Sequence, residues 1–135
     1  MSLDLWVACF RHGQPHPEPT ALLRAPFDPL VVSSEPRCLV LGLPGDQESL
    51  LLIDSTAATG TGFTLNRPVR DPALWQALFS ALQHTGRVLV VPGAVPPLIG
   101  VADTAPHLAA DLVESLGPPV VVTDGLAIRH WVENA

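Results

Sequence analysis

Arg11-His12-Gly13-Gln14 sets an arginine and an imidazole side by side directly after an apolar segment. A histidine nucleophile for phosphoryl transfer needs a neutral ring, several arginine forks around the phosphate and an acid for the leaving group. The bland reading of the same residues is a polar turn after a strand. His12 and His16, with Glu18 nearby, have a spacing that places two rings together only on a helix. Pro15, Pro17 and Pro19 forbid that helix, so a solvated loop is expected and no metal ligand follows. Gly60-Thr61-Gly62 has the glycines of a phosphate loop without the lysine, and the chain contains no lysine at all. Cys9 and Cys38 sit in apolar strand-like segments and form no C-x-x-C pair, so both read as buried free thiols. No catalytic residue, metal or cofactor is expected from these groups.

The four residues Arg11 to Gln14 resemble the Arg-His-Gly signature of the histidine phosphatase family. That resemblance would make His12 the phosphorylated nucleophile and Arg11 a phosphate clamp. His84, His107 and His130 depart from the family pattern, because they fall in helical segments rather than in a Gly-His turn after a strand. A small phosphatase-like enzyme using Arg11-His12-Gly13 is thus the alternative to a binding protein.

The elements that position these residues follow from periodicity. Leu3 to Phe10 reads as a first strand. Pro26 and Pro29 leave only a short edge strand at Leu30–Val32, and Cys38–Leu43 and Ser49–Ile53 form a hairpin around a five-residue loop. Asp54 to Gly62 reads as a loop, and Phe63–Leu65 as a short strand. Asp71 caps a helix over 72–84 with Pro72 at its first position, and Leu74, Trp75, Leu78, Phe79, Ala81 and Leu82 share one face. Gly86 stops that helix, and Val88–Val91 reads as a strand covered on both sides, the pattern of a parallel sheet. After an irregular Pro92–Pro97, Thr104 starts a helix over 104–116 that stacks Leu108, Leu112 and Leu116. Val120–Val122 is a further strand, joined to Val91 by a parallel crossover. Asp124 caps a last helix that sends Leu126, Ile128, Trp131 and Val132 to the core.

The expected fold is α/β, with α+β as the variant. It has a mixed sheet of five or six strands, an N-terminal antiparallel hairpin portion, a C-terminal strand–helix–strand–helix unit and about three helices. Residues 1–135 suit one domain. Ligands in open α/β sheets bind beyond the carboxyl ends of strands, here Pro92-Gly93 and Thr123-Asp124-Gly125.

Composition narrows the function classes. Hydrophobic residues make up 47% of the chain, so a real core is available. There is no apolar run of 18 residues and no basic-then-apolar leader pattern, so neither a membrane span nor a signal peptide is expected, and the reading is cytoplasmic. Thirteen acids face seven bases, all arginine, for a net charge of −6. A nucleic-acid role is disfavoured, because neutralising phosphates requires a basic stripe. The informative acids are Asp111 and Glu114, neighbours on the exposed side of the 104–116 helix. Glu114 lies in the last turn, where an acid opposes the helix dipole by about 0.3–1 kcal/mol with no arginine close by in sequence. Together with Asp103 and Asp124 they form the candidate contact surface for a basic protein partner.

The run Gly62-Phe63-Thr64-Leu65-Asn66-Arg67-Pro68, with Leu74–Leu78, Pro92-Gly93, His107-Leu108 and Glu114–Pro118, resembles small uncharacterised bacterial proteins, some of immunity-protein type. The resemblance covers about residues 62–118 and implies no catalytic residue. The function expected is a non-enzymatic cytoplasmic binding protein that neutralises a bacterial toxin by direct contact through an acidic surface. It needs no cofactor, nucleic acid or membrane.

Overall fold

The computed structural model describes residues 3–135; residues 1 and 2 of the expected domain span lie outside the described residues. Along the chain, β1 (Asp4–Arg11) is followed by the short pieces β2 (Gln14–Pro15) and β3 (Glu18–Pro19), helix α1 (Thr20–Arg24) and a 3-10 turn (Ala25–Leu30). Strands β4 (Val31–Glu35), β5 (Cys38–Leu43), β6 (Gln47–Leu52), β7 (Thr59–Gly60) and β8 (Gly62–Asn66) precede helix α2 (Pro72–Ala81). Then come β9 (Arg87–Val90), β10 (Leu98–Ile99), a second 3-10 turn (Ala102–His107), α3 (Ala110–Leu116), β11 (Val120–Val121) and α4 (Gly125–Glu133).

Among the described residues the main sheet has nine strands in the order β11-β10-β9-β1-β8-β6-β5-β4, with β2 attached to β1, and β3 and β7 form a separate pair. The fold is therefore mixed α/β, with a wider sheet than the five or six strands expected. Among the described residues only β10 and β11 run parallel, and every other pair is antiparallel.

Alternation along the strands separates two faces. Leu5, Val7 and Cys9 of β1 point to one face, with Leu39, Leu41, Leu51, Phe63, Leu65 and Leu89 on neighbouring strands. Helices α2 and α4 and the first 3-10 turn cover it. The predicted stripe of α2 is the buried one: Leu74, Trp75, Leu78, Ala81 and Leu82 are inside, and Phe79 packs at the margin. Asp71 caps the helix, its carboxylate accepting from the Ala73 N–H at 2.9 Å. Gly125 is needed where α4 meets α2, since a Cβ there would lie 2.6 Å from the Trp75 backbone.

The second face carries a smaller cluster, Val88, Ile99 and Leu108 with Ala8, Phe10, Ala105, Leu112 and Val113. The second 3-10 turn and α3 cover the sheet only there. The helices thus lie on opposite faces, a choice periodicity alone cannot make.

Several expectations are corrected. The β5–β6 loop has three residues, not five, because Leu43 pairs with Gln47 while Gly45 and Asp46 adopt left-handed conformations. Helix α2 stops at Ala81 rather than 84: the Leu82 N–H is shared between the Leu78 and Phe79 carbonyls, and the Ala81 carbonyl accepts from the Arg87 guanidinium. Strand β9 is well covered but antiparallel to both neighbours, because Leu98–Ile99 inserts as β10 where no strand was predicted. The parallel crossover consequently runs from β10 to β11 and not from Val91.

The helix expected over 104–116 is broken, since Leu108 and Ala109 are extended and separate a 3-10 turn containing Pro106 from α3. Leu108 is buried in the break and does not stack on Leu112 through a helical turn. Residues 20–30, expected to hold little beyond an edge strand, form α1 and a 3-10 turn. Leu126 is 70% exposed instead of core, because it lies about 200° around α4 from buried Ile128. Cys38 is only half-buried.

Candidate functional site

The Arg11–Gln14 stretch is a hairpin turn. Arg11 pairs with Gln14, and the two residues between them, His12 and Gly13, have φ of 51° and 80°, as a two-residue loop of this hand requires. The turn docks on the second 3-10 turn: the His12 N–H donates to His107 Nδ1 at 3.2 Å and the Gly13 N–H to the His107 carbonyl at 3.0 Å. The two rings meet edge to face, with centroids 5.0 Å apart. Because Nδ1 accepts, the proton of a neutral His107 is on Nε2. Arg67 and Arg70 are not beside His12. They line a cleft with Leu3, Glu48, Trp75 and Glu133. That cleft is at the other end of β1, where the Arg67 N–H donates to the Leu3 carbonyl, roughly 25 Å along the strand. The phosphate cradle that the family resemblance implies is thus not assembled around His12. Among the described residues, no three His, Cys, Asp or Glu side chains come together as a metal set.

The densest charged cluster involves none of the expected contact residues. Arg87, fully buried, donates Nη2 to Glu18 Oε1 at 2.8 Å and Nε to both carboxylate oxygens at 3.2 and 3.3 Å, while Nη1 reaches the Ala81 carbonyl at 3.0 Å. Burial pushes the Glu18 carboxyl up, but the Arg87 hydrogen bonds, the Cys9 thiol, the Arg87 charge and His84 outweigh it and hold the group below the ordinary 4.5. The Cys9 thiol is pushed up to about 12, first by burial and then by donating to Glu18. A thiol so held is neutral and inert at physiological pH. The cluster ties β3 to the start of β9 and the end of α2, which is a structural task.

The four predicted contact carboxylates divide into two groups. Asp103 in the second 3-10 turn and Asp111 and Glu114 on α3 are exposed on the layer that covers the second face. Glu114 lies in the last turn of a helix with no basic residue there. None of the three belongs to an ion pair among the described residues, where arginines pair instead with Asp28, Glu18 and Glu133. Asp111 also lines a cleft of about 640 Å³ between α3 and the β1–β2 hairpin, with Phe10, Gln14 and Leu112. Asp124 is elsewhere: it caps α4, accepting from the Ala127 N–H at 2.7 Å, and borders a cleft of about 510 Å³ with Trp75, Gly125 and Arg129.

Sequence reasoning missed the second face of the sheet beyond α3. Among the described residues no helix covers that face from β1 to β4, and Trp6, Leu52 and Val32 lie on it, 42%, 39% and 64% exposed. The available signal was the apolar character of both alternations in β1 and β6. The register that turns it into a surface is non-local.

In comparisons with family models, curated proteins and solved structures, nothing matches this chain.

Proposed function

We propose that this chain is a non-enzymatic cytoplasmic binding protein that neutralises a basic protein partner, as an immunity protein does a bacterial toxin. The observation that carries the reading is the one-signed layer of Asp103, Asp111 and Glu114, exposed together and without cationic partners. Glu114 is held against the negative end of α3, where a cation from outside would relieve it. Such charges act through steering and through specific contacts, and both weaken with salt.

The test is a titration of wild type and Asp111→Lys/Glu114→Lys against the protein encoded beside this one, at two salt concentrations. The double reversal should weaken association at least tenfold at low salt, and added salt should weaken the wild type. The free variant should keep its stability, because a lysine in the last turn of α3 suits the dipole. Unchanged affinity with no salt dependence in either protein overturns the acidic-layer reading.

A further inference from the structure

The second face of the main sheet is finished at one end and open at the other. The second 3-10 turn and α3 cover Val88, Ile99, Ala8 and Phe10. Beyond them the rows are continuous. Val90, Trp6, Thr64 and Leu52 lie in register across β9, β1, β8 and β6. Asp4, Asn66, Leu50, Val40 and Ser33 form the next row from β1 to β4. Val32 leans over Gly42, where a Cβ would come within 2.6 Å of it. Among the described residues six large hydrophobic side chains are exposed, and three of them, Trp6, Val32 and Leu52, belong to these open rows. That clustering separates a contact surface from scattered surface apolar residues.

The charges on the open rows have one sign. Asp4 shares its row with its cross-strand partner Asn66, which donates to it. Glu48 stands opposite Gly42, and Glu35 opposite Cys38, whose thiol is raised by burial and by the Glu35 charge. The arginines nearest these rows stand at their margins, Arg37 in the turn after Glu35 and Arg67 and Arg70 in the cleft that Glu48 also lines. A second copy laid on this face would set acid against acid, and an anionic lipid surface would be repelled. A cationic occupant with an apolar centre meets both features. The open width from β1 to β4 is four strand spacings, about 19 Å, and a helix with its side chains is about 10–12 Å across. It would lie beside α3 and complete the half-built helical layer.

We propose that this open face is the docking site for a basic amphipathic helix of a protein partner, with Trp6 as the anchor and Asp4, Glu35 and Glu48 as the charged rim. The proposal rests on the binding-protein reading and adds where and by what kind of segment the partner is held. Its residues are separate from Asp111 and Glu114, so the two readings fail separately.

The probe is a synthetic 18-residue amphipathic helix of leucine and lysine, with a glutamate-for-lysine version as control. Binding is followed by amide and indole shifts of ¹⁵N-labelled protein. The lysine peptide should bind at micromolar concentration and shift the Trp6 indole with Thr64, Leu50 and Leu52. The glutamate peptide should bind at least tenfold more weakly. Trp6→Ser and, separately, Leu52→Ser should each weaken the lysine peptide at least fivefold while retaining the wild-type circular dichroism; Trp6→Phe should restore most of the loss. Equal binding of both peptides, shifts confined to α3, no binding at millimolar peptide, adsorption to vesicles of phosphatidylserine, or a concentration-dependent dimer abolished by Trp6→Ser would each overturn the proposal.

Discussion

Replacing Glu18 by glutamine removes one charge from the buried cluster and almost no volume. Arg87 then stays cationic with no exposure, bonded to the Ala81 carbonyl and facing a neutral amide whose one oxygen still accepts but carries no counter-charge. Three N–H···O contacts of 2.8, 3.2 and 3.3 Å lose their ionic partner, and an amide NH₂ turned toward the guanidinium would repel it. Leaving a buried ion without its counterion costs about 3–5 kcal/mol, against a total stability of about 5–15 kcal/mol. For a chain of this size that lowers the melting temperature by roughly 10–20 °C. The pH dependence has a fixed sign. Because the folded carboxyl is held below 4.5, its contribution is fully present above about pH 4.5 and is lost as pH falls through the lower folded value. Urea denaturation at pH 7 should therefore show the full gap between wild type and Glu18→Gln, and the gap should narrow steadily below pH 4.5. Glu18→Leu/Arg87→Leu should cost less than the sum of its single substitutions by at least about 2 kcal/mol, since no charge is stranded. A Glu18→Gln loss under about 1 kcal/mol at pH 7, or a gap independent of pH, would refute the account of this cluster.

Leu78, fully buried at the centre of the α2 stripe, should cost about 2–5 kcal/mol on truncation to alanine, measured by chemical denaturation; less than half a kcal/mol would mean the helix packs differently. Asp124→Ala should lose about 1 kcal/mol by freeing the Ala127 N–H, with the effect read in thermal melts. With its thiol pushed up to about 12, Cys9 should resist an aromatic disulfide reagent in native protein at pH 8 and react after denaturation, and prompt native reaction would contradict its burial.

Local pattern carried the elements whose signals are complete within a few residues. Helix α2 announces itself through Asp71, Pro72 and a continuous apolar stripe, and β1, β5, β8 and β9 through apolar runs between breakers. Strand β10 has only Leu98 and Ile99 between prolines and Gly100, too short for a period, and its place is decided by partners on two other strands. Leucines four apart suggested one helix through Pro106, but the Thr104 hydroxyl, accepting from the Gly86 N–H, and burial of Leu108 hold the chain in two pieces. Arg87, alone between Gly86 and Val88, has the appearance of a solvated turn residue. Its meaning depends on Glu18, 69 positions away. The expected contact acids were legible as exposed because α3 is polar on its outer side. That Asp124 stands apart from them, and that Trp6 and Leu52 share a row, depends on sheet order.

The central place of β1 has a consequence for biosynthesis. It is the earliest of the described strands to be made, yet both of its long neighbours are late, since Asp4 waits for Asn66 and Trp6 for Val90. At about 5–20 residues per second, β9 follows β1 from the ribosome by roughly 4–16 s. Until β8 emerges both long edges of this apolar strand are unpaired, and the edge that β9 takes stays open until Val90 is made, with α4 later still. Pairings this distant in sequence also slow the search for the native state. The yield of folded chain should therefore respond more to translation speed and temperature than its native stability alone would suggest.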